Sequence, residues 1–349
     1  MPSLFDPLKV GDLTLPNRIL MAPLTRSRAG TERIPNELMA QYYRQRASAG
    51  LIVSEATSVT PMGVGYAGTP GIWSAAQVAG WKLTTQAVHA AGGRIFLQLW
   101  HVGRISDPSF LDGRPPVAPS AIAAQGNVSL LQPQRPFPVP RALSLEEIPG
   151  IIADYRQGAR NAQAAGFDGV EIHGANGYLL DQFLQDRANQ RTDEYGGTIA
   201  NRARLMLEVT DAVIGVWGAS RVGMHLAPRG DSNSMGDSDP AAVFGHVARE
   251  LGRRRLAFLC VREYAGAGCR GPALKAAFGG AYIANERFTV ESATQAVAVG
   301  AADAVAFGEL FIANPDLPRR VQLGATLNEP DVSGFYAGGA KGYTDYPSL

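Results

Sequence analysis

The 349-residue chain is 46% hydrophobic and 18% charged, which supplies apolar material for a large core and excludes a disordered, highly charged chain. Its 32 basic and 31 acidic side chains leave a formal charge of +1, so neither nucleic acid nor an anionic membrane surface is an expected partner. No apolar run approaches the roughly 20 residues needed to span a bilayer, the first residues lack a basic stretch followed by an apolar one, so no secretory signal is expected, and Cys260 and Cys269 make neither a disulfide framework nor a Cys-x-x-Cys site. A cytoplasmic setting and small-molecule partners are expected, with the chain a monomer or homodimer.

Leu4 to Leu15 read as a small hairpin turning at Gly11-Asp12. Strand candidates follow at Ile19 to Leu24, Leu51 to Ala56, Arg94 to Trp100, Gly169 to His173, Arg221 to Leu226, Leu256 to Val261, Ala281 to Ala284 and Ala304 to Phe307. Helix-compatible stretches alternate with them, at Leu38 to Ser48, Ala75 to Ala91, Leu145 to Ala165, Ile199 to Val216, Ala241 to Leu251, Pro272 to Ala277, Thr289 to Val299 and Pro315 to Leu323. Ser144-Leu-Glu-Glu147 has the spacing of a capping box, and Gly166 stands where a left-handed helix terminus is wanted. Eight strand-then-helix units point to a single-domain α/β chain over residues 1–349: a (β/α)8 TIM barrel with an N-terminal hairpin cap and a long proline-rich loop, Ser106 to Arg141, after strand 3. A doubly wound open sheet is disfavoured, because no G-x-G-x-x-G follows the first strand.

In such a barrel the chemistry collects at the C-terminal ends of the strands. The fourth ends in the densest polar cluster, Glu171-Ile-His173-Gly-Ala-Asn176-Gly-Tyr178. His173 and Asn176 can each offer an N–H to one acceptor and Tyr178 adds an O–H, a set suited to polarising a carbonyl or nitro oxygen. Glu171 and His173 share a strand face, yet no second His/Asp/Glu pair with ligand spacing stands on another strand end, so no metal is expected. On the third strand Gln98 and Trp100 share one face, and a Gln places a donor beside an acceptor, which suits the imide edge of a ring. Ala284 and Asn285 end the seventh strand, while Gly308 and Glu309 follow the eighth, the barrel's usual phosphate-binding position.

Taken in order, these motifs resemble the old yellow enzyme family of flavin-dependent ene-reductases. The resemblance is carried by Leu4-Phe-Asp-Pro-Leu, Ala22-Pro-Leu-Thr-Arg26, Gln98-Leu-Trp-His-Val-Gly-Arg104, His173-Gly-Ala-Asn-Gly-Tyr178, Asn189-Gln-Arg-Thr-Asp-Glu-Tyr-Gly-Gly197 and Phe311-Ile-Ala-Asn-Pro-Asp-Leu317. It implies non-covalent FMN, reduced by NADPH or NADH and reoxidised by an activated alkene, or by a nitro compound or nitrate ester. Pro23, Thr25, Ala56, Gln98 and His225 would then contact the flavin, and His173 and Asn176 the substrate oxygen. Tyr178 would be the proton donor, with Tyr66, Trp100 and Tyr264 as pocket walls.

Three positions depart from the family pattern. His225 stands where many members have an Arg, Glu309 where many have a basic residue at the phosphate, and Tyr264 where a Trp is common. Arg287 is the candidate for the missing phosphate charge. Two other readings stay open: a dihydropyrimidine- or dihydroorotate-type dehydrogenase, which would use a Cys or Ser acid/base in a rim loop, and a non-catalytic flavin-binding barrel.

Overall fold

Ile95–Trp100 and Gly169–Gly174 are buried at every position. Strands covered on both faces belong to a parallel sheet wrapped by helices. The computed structural model describes residues 1–229, 232–264, 266–336 and 338–349. Its central sheet consists of β1 (Ile19–Met21), β2 (Ile52–Val53), β3 (Ile95–Trp100), β4 (Gly169–Gly174), β5 (Val222–Leu226), β6 (Phe258–Arg262), β7 (Ala281–Asn285) and β8 (Ala304–Phe307). Each strand pairs in parallel with the next, and β8 pairs with β1 through Val305 opposite Ile19, so the sheet closes on itself as a (β/α)8 barrel.

Several boundaries differ from the sequence expectation for local reasons. β1 stops at Met21 and does not run to Leu24, since Pro23 has no N–H to offer a ladder. The second strand breaks after Val53 and resumes as a two-residue segment, Thr57–Ser58, paired with β3. The helix after the proline-rich loop starts at Ile148. Of the expected capping box only one arm forms, the Glu147 carboxylate accepting from Ser144 N–H at 2.8 Å. Gly166 does take a positive φ of 84° just beyond that helix. The final expected helix forms as Leu317–Leu323, and two short helices appear where none was expected, Leu179–Leu184 after β4 and Glu309–Ala313 after β8.

Two apolar layers hold the barrel. Outside it, the strands pack on the helices through residues such as Ile52, Leu97, Ile172, Met224 and Val305. Inside its lower half, Phe96 and Phe258 meet at 5.9 Å between ring centres, and the hairpin strands Leu8–Val10 and Leu13–Leu15 close that end with Val10 and Leu15. A side chain at Gly223 would drive into the Phe258 ring, so this layer needs a glycine opposite its largest residue. With the lower half filled, open space remains only toward the C-terminal ends of the strands.

Candidate active site

A cavity of about 1120 Å³ lies at that upper end. Pockets for a single small ligand run to about 300–1,000 Å³, so this one has room for a cofactor with a second molecule over it. Its wall brings together most residues singled out in the sequence: Pro23, Thr25, Ala56, Tyr66, Gln98, Trp100, His173, Asn176, Tyr178, His225, Asn285, Arg287, Gly308 and Glu309.

Two expected residues lie elsewhere. Ala284 sits one position off the inward-facing register of β7, where Ile283 and Asn285 point inside; its side chain packs into the outer, helix-facing layer. Tyr264 does not line the cavity, because its ring is held between the guanidinium groups of Arg229, at 3.7 Å, and Arg287, at 4.4 Å. Sequence reasoning also missed residues that do line it. Arg262 ends β6 and was visible as a charged residue closing an apolar strand, whereas Phe335 and Tyr336 arrive from a distant segment that no local pattern could place.

One wall is aromatic. Tyr66 stacks on Trp100 at 5.6 Å, Trp100 lies nearly parallel to His173, and His173 to His225, while the Tyr178 ring stands edge-on to both Trp100 and His173. The hydroxyls of Tyr178 and Tyr66 share a hydrogen bond of 3.0 Å. Burial raises the Tyr178 pKa, although the Tyr66 hydrogen bond and the Arg262 charge oppose it, so the phenol stays protonated. Burial, reinforced by His225 and Arg262, pushes the His173 pKa well below its ordinary value and keeps the ring neutral. Its Nδ1 accepts from Ala175 N–H at 3.4 Å, which leaves the ring proton on Nε2 as a donor.

The floor is a polar network. Gln98 Nε2 donates to Glu171 Oε1 at 2.7 Å and lies 3.4 Å from His225 Nδ1, while His225 Nε2 and Glu171 Oε2 are buried without a protein partner among the described residues. Buried polar atoms without partners are costly, so a ligand that hydrogen-bonds there is favoured. Cys260 joins Glu171 and His225, with the three possible ligand atoms within 4.8 Å of one another, a cluster that strand-end spacing did not suggest. Burial pushes the Cys260 thiol well above its usual range and Glu171 is engaged by Gln98, so the trio does not read as a metal site.

The site and barrel can be compared with known proteins. A model of the NADH:flavin oxidoreductase / NADH oxidase family matches residues 3–328. The chain belongs to that family. A probable flavin mononucleotide-dependent alkene reductase of Leishmania infantum is 44% identical over 355 residues, covering 99% of this chain and 97% of its own. The old yellow enzyme homologue of Zymomonas mobilis superposes with a TM-score of 0.97 at 47% identity, with both chains fully covered. Morphinone reductase, solved in complex with tetrahydroNAD, superposes with a TM-score of 0.96 at 51% identity over all of this chain and 98% of its own. Like the other members of this flavin oxidoreductase family, the chain is an FMN-dependent enzyme that draws on a reduced nicotinamide.

Proposed function

We propose that this protein reduces the carbon–carbon double bond of activated alkenes, α,β-unsaturated carbonyl compounds and nitroalkenes, with NADPH or NADH as reductant. One arrangement carries the reading: two N–H donors, His173 Nε2 and the Asn176 amide, border the same cavity as a protonated Tyr178. The residues fit FMN, since His225 Nε2, without a partner among the described residues, and the Gln98 carbonyl oxygen offer hydrogen-bonding atoms at the floor. Thr25, Pro23 and Ala56 line the ring's flank. Arg287 would supply the positive charge for the phosphate near Gly308, while Glu309 is exposed to solvent.

Bound FMN supplies the hydride, being reduced by the nicotinamide and oxidised by the alkene. His173 and Asn176 donate to the substrate oxygen and draw electron density from the β-carbon, which takes the hydride. The π pair then forms the new C–H bond at the α-carbon with the proton given by Tyr178. A protonated phenol is a weak acid, but the enolate-like carbon it meets is a stronger base. A dihydropyrimidine-type reaction would use a Cys or Ser acid; neither Cys260 nor Cys269 is among the lining residues, and the serine that is, Ser129, is exposed on the rim, not buried beside His173 and Tyr178. These two unpaired thiols suit a reducing, cytoplasmic compartment.

The test is anaerobic. FMN-loaded protein should bleach on addition of NADPH or NADH and regain its yellow colour with 2-cyclohexenone. Reduced protein whose spectrum cyclohexenone leaves unchanged, or a chain that does not retain FMN, would refute the proposal.

A further inference from the structure

An amide is two-sided, with an acceptor on one edge and two N–H bonds on the other. Only one orientation of Asn176 lets it donate to a substrate oxygen. Arg262, the last residue of β6, places Nη1 2.9 Å from Asn176 Oδ1. A guanidinium donates and cannot accept, so the oxygen faces Arg262 and Nδ2 turns away from it. Nδ2 has no acceptor among the described residues, and Asn176 lines the cavity next to His173.

Arg262 is itself fixed. Nη1 also donates to Ser232 Oγ at 2.9 Å, and Nη2 donates to Glu286 Oε1 at 2.6 Å. Asn176 cannot adjust through its main chain, which takes a φ of 59° and whose carbonyl accepts from Asn233 Nδ2 at 2.8 Å. Amide and guanidinium are therefore locked from three sides, by β6, by the residues after β5 and by the end of β7.

Building on the alkene-reductase reading, we propose that Arg262 is a positioning residue that locks the Asn176 amide as a donor and thereby restricts the site to ligands presenting an acceptor oxygen. Carbonyl, nitro and phenolate oxygens satisfy the locked amide, and ligands offering only N–H or O–H at that point do not.

The experiment is a double-mutant cycle on FMN-loaded protein titrated calorimetrically with 4-chlorophenol, a ligand that is not turned over. Arg262→Met should weaken phenol binding about tenfold in the parent background, the scale of one aimed hydrogen bond to a charged group. In an Asn176→Ala background the same change should cost less than about twofold, because the group it positions is gone. Arg262→Gln, run in parallel, is gentler on packing. Its amide presents donor and acceptor alike and no longer selects the Asn176 oxygen, so it should lose about threefold with Asn176 present and nothing without it. Equal losses in both backgrounds, or none in either, overturn the role of Arg262. A parent protein that holds FMN yet neither binds the phenol nor is reoxidised by cyclohexenone overturns the alkene-reductase reading instead.

Discussion

Tyr178 can serve as an acid only while its phenol keeps a proton, and its surroundings secure that. Burial raises its pKa, and the one hydroxyl bonded to it, Tyr66, has a pKa raised well above the ordinary phenol value, again by burial first. Both shifts are upward, away from neutrality, so proton supply at this site does not fall across the neutral range. Replacing Tyr178 by Phe should leave reduction of the flavin by NADPH nearly intact and slow reoxidation by cyclohexenone about 10²–10⁴-fold, the usual weight of a positioned acid. Stopped-flow measurement of the two half-reactions separates them, and equal slowing of both would contradict the assignment. At this scale the sequence was most informative where function sits within a few residues of one strand end. His173, Asn176 and Tyr178 are spaced by the β4 exit and were legible together. Arg262, whose hydrogen bonds run to residues 86, 30 and 24 positions away, was not. Tyr264 was misjudged for the same reason, because its ring is occupied by Arg229 and Arg287.

Between β7 and the helix Val290–Ala298, Glu286 and Arg287 carry φ values of 88° and 58° in succession. Such positions cost of order 1–3 kcal/mol each for residues with a Cβ and persist only when their surroundings impose them. Here Glu286 is tied to Arg262 at 2.6 Å and the Arg287 guanidinium lies over the Tyr264 ring. Glycine would relax this turn, so its absence suggests that the side chains are worth their strain. Arg287→Gly should raise the melting temperature of the FMN-free protein, or leave it unchanged, while lowering FMN affinity about tenfold, as loss of one charge-assisted phosphate contact does. Undiminished FMN affinity by fluorescence titration would return Arg287 to the solvated surface. This element was half legible: the need for a cation near Glu309 follows from charge alone, but Glu-Arg is not a turn signature, and the left-handed pair appears only in the backbone.

Over the whole molecule, the eight-strand barrel was readable because its strands alternate with helices in regular order, and the hairpin because Gly11 marks its turn. A long-range feature was not readable. Residues 334–336 and 338–343 pack as a strap against the first strand's exit. Arg26 donates to the carbonyls of Phe335 at 2.9 Å and Gly342 at 2.8 Å, and Arg28 to that of Gly334 at 2.9 Å. Tyr343 stacks on Tyr42 at 4.1 Å. Beneath these cations lies Glu55, which accepts from Arg26 N–H and Tyr43 O–H, both at 3.2 Å. Burial pushes its pKa up to about 7 from 4.5, although Arg26 and Tyr43 pull it down. A carboxyl raised in the folded state contributes stability fully below its unfolded pKa and loses it as pH rises through the folded value. The protein should therefore lose stability from this group between about pH 4.5 and 8, by at most about 3 kcal/mol for a shift of that size. Glu55→Gln should narrow the gap between melting temperatures at pH 5.5 and pH 8; an unchanged gap would assign the pH dependence to other groups.

The strap also bears on synthesis. Arg26 adjoins Thr25 in the cavity wall, and the carbonyls that hold it are more than 300 residues downstream. A nascent chain on the ribosome, emerging at about 5–20 residues per second, presents Arg26 and Arg28 tens of seconds before those carbonyls. Until then water occupies their donors, and the carbonyls arrive at the same late stage at which β8 comes to pair with β1. A chain stalled before the strap would therefore expose an unfinished barrel seam and an open cavity mouth to chaperones and proteases.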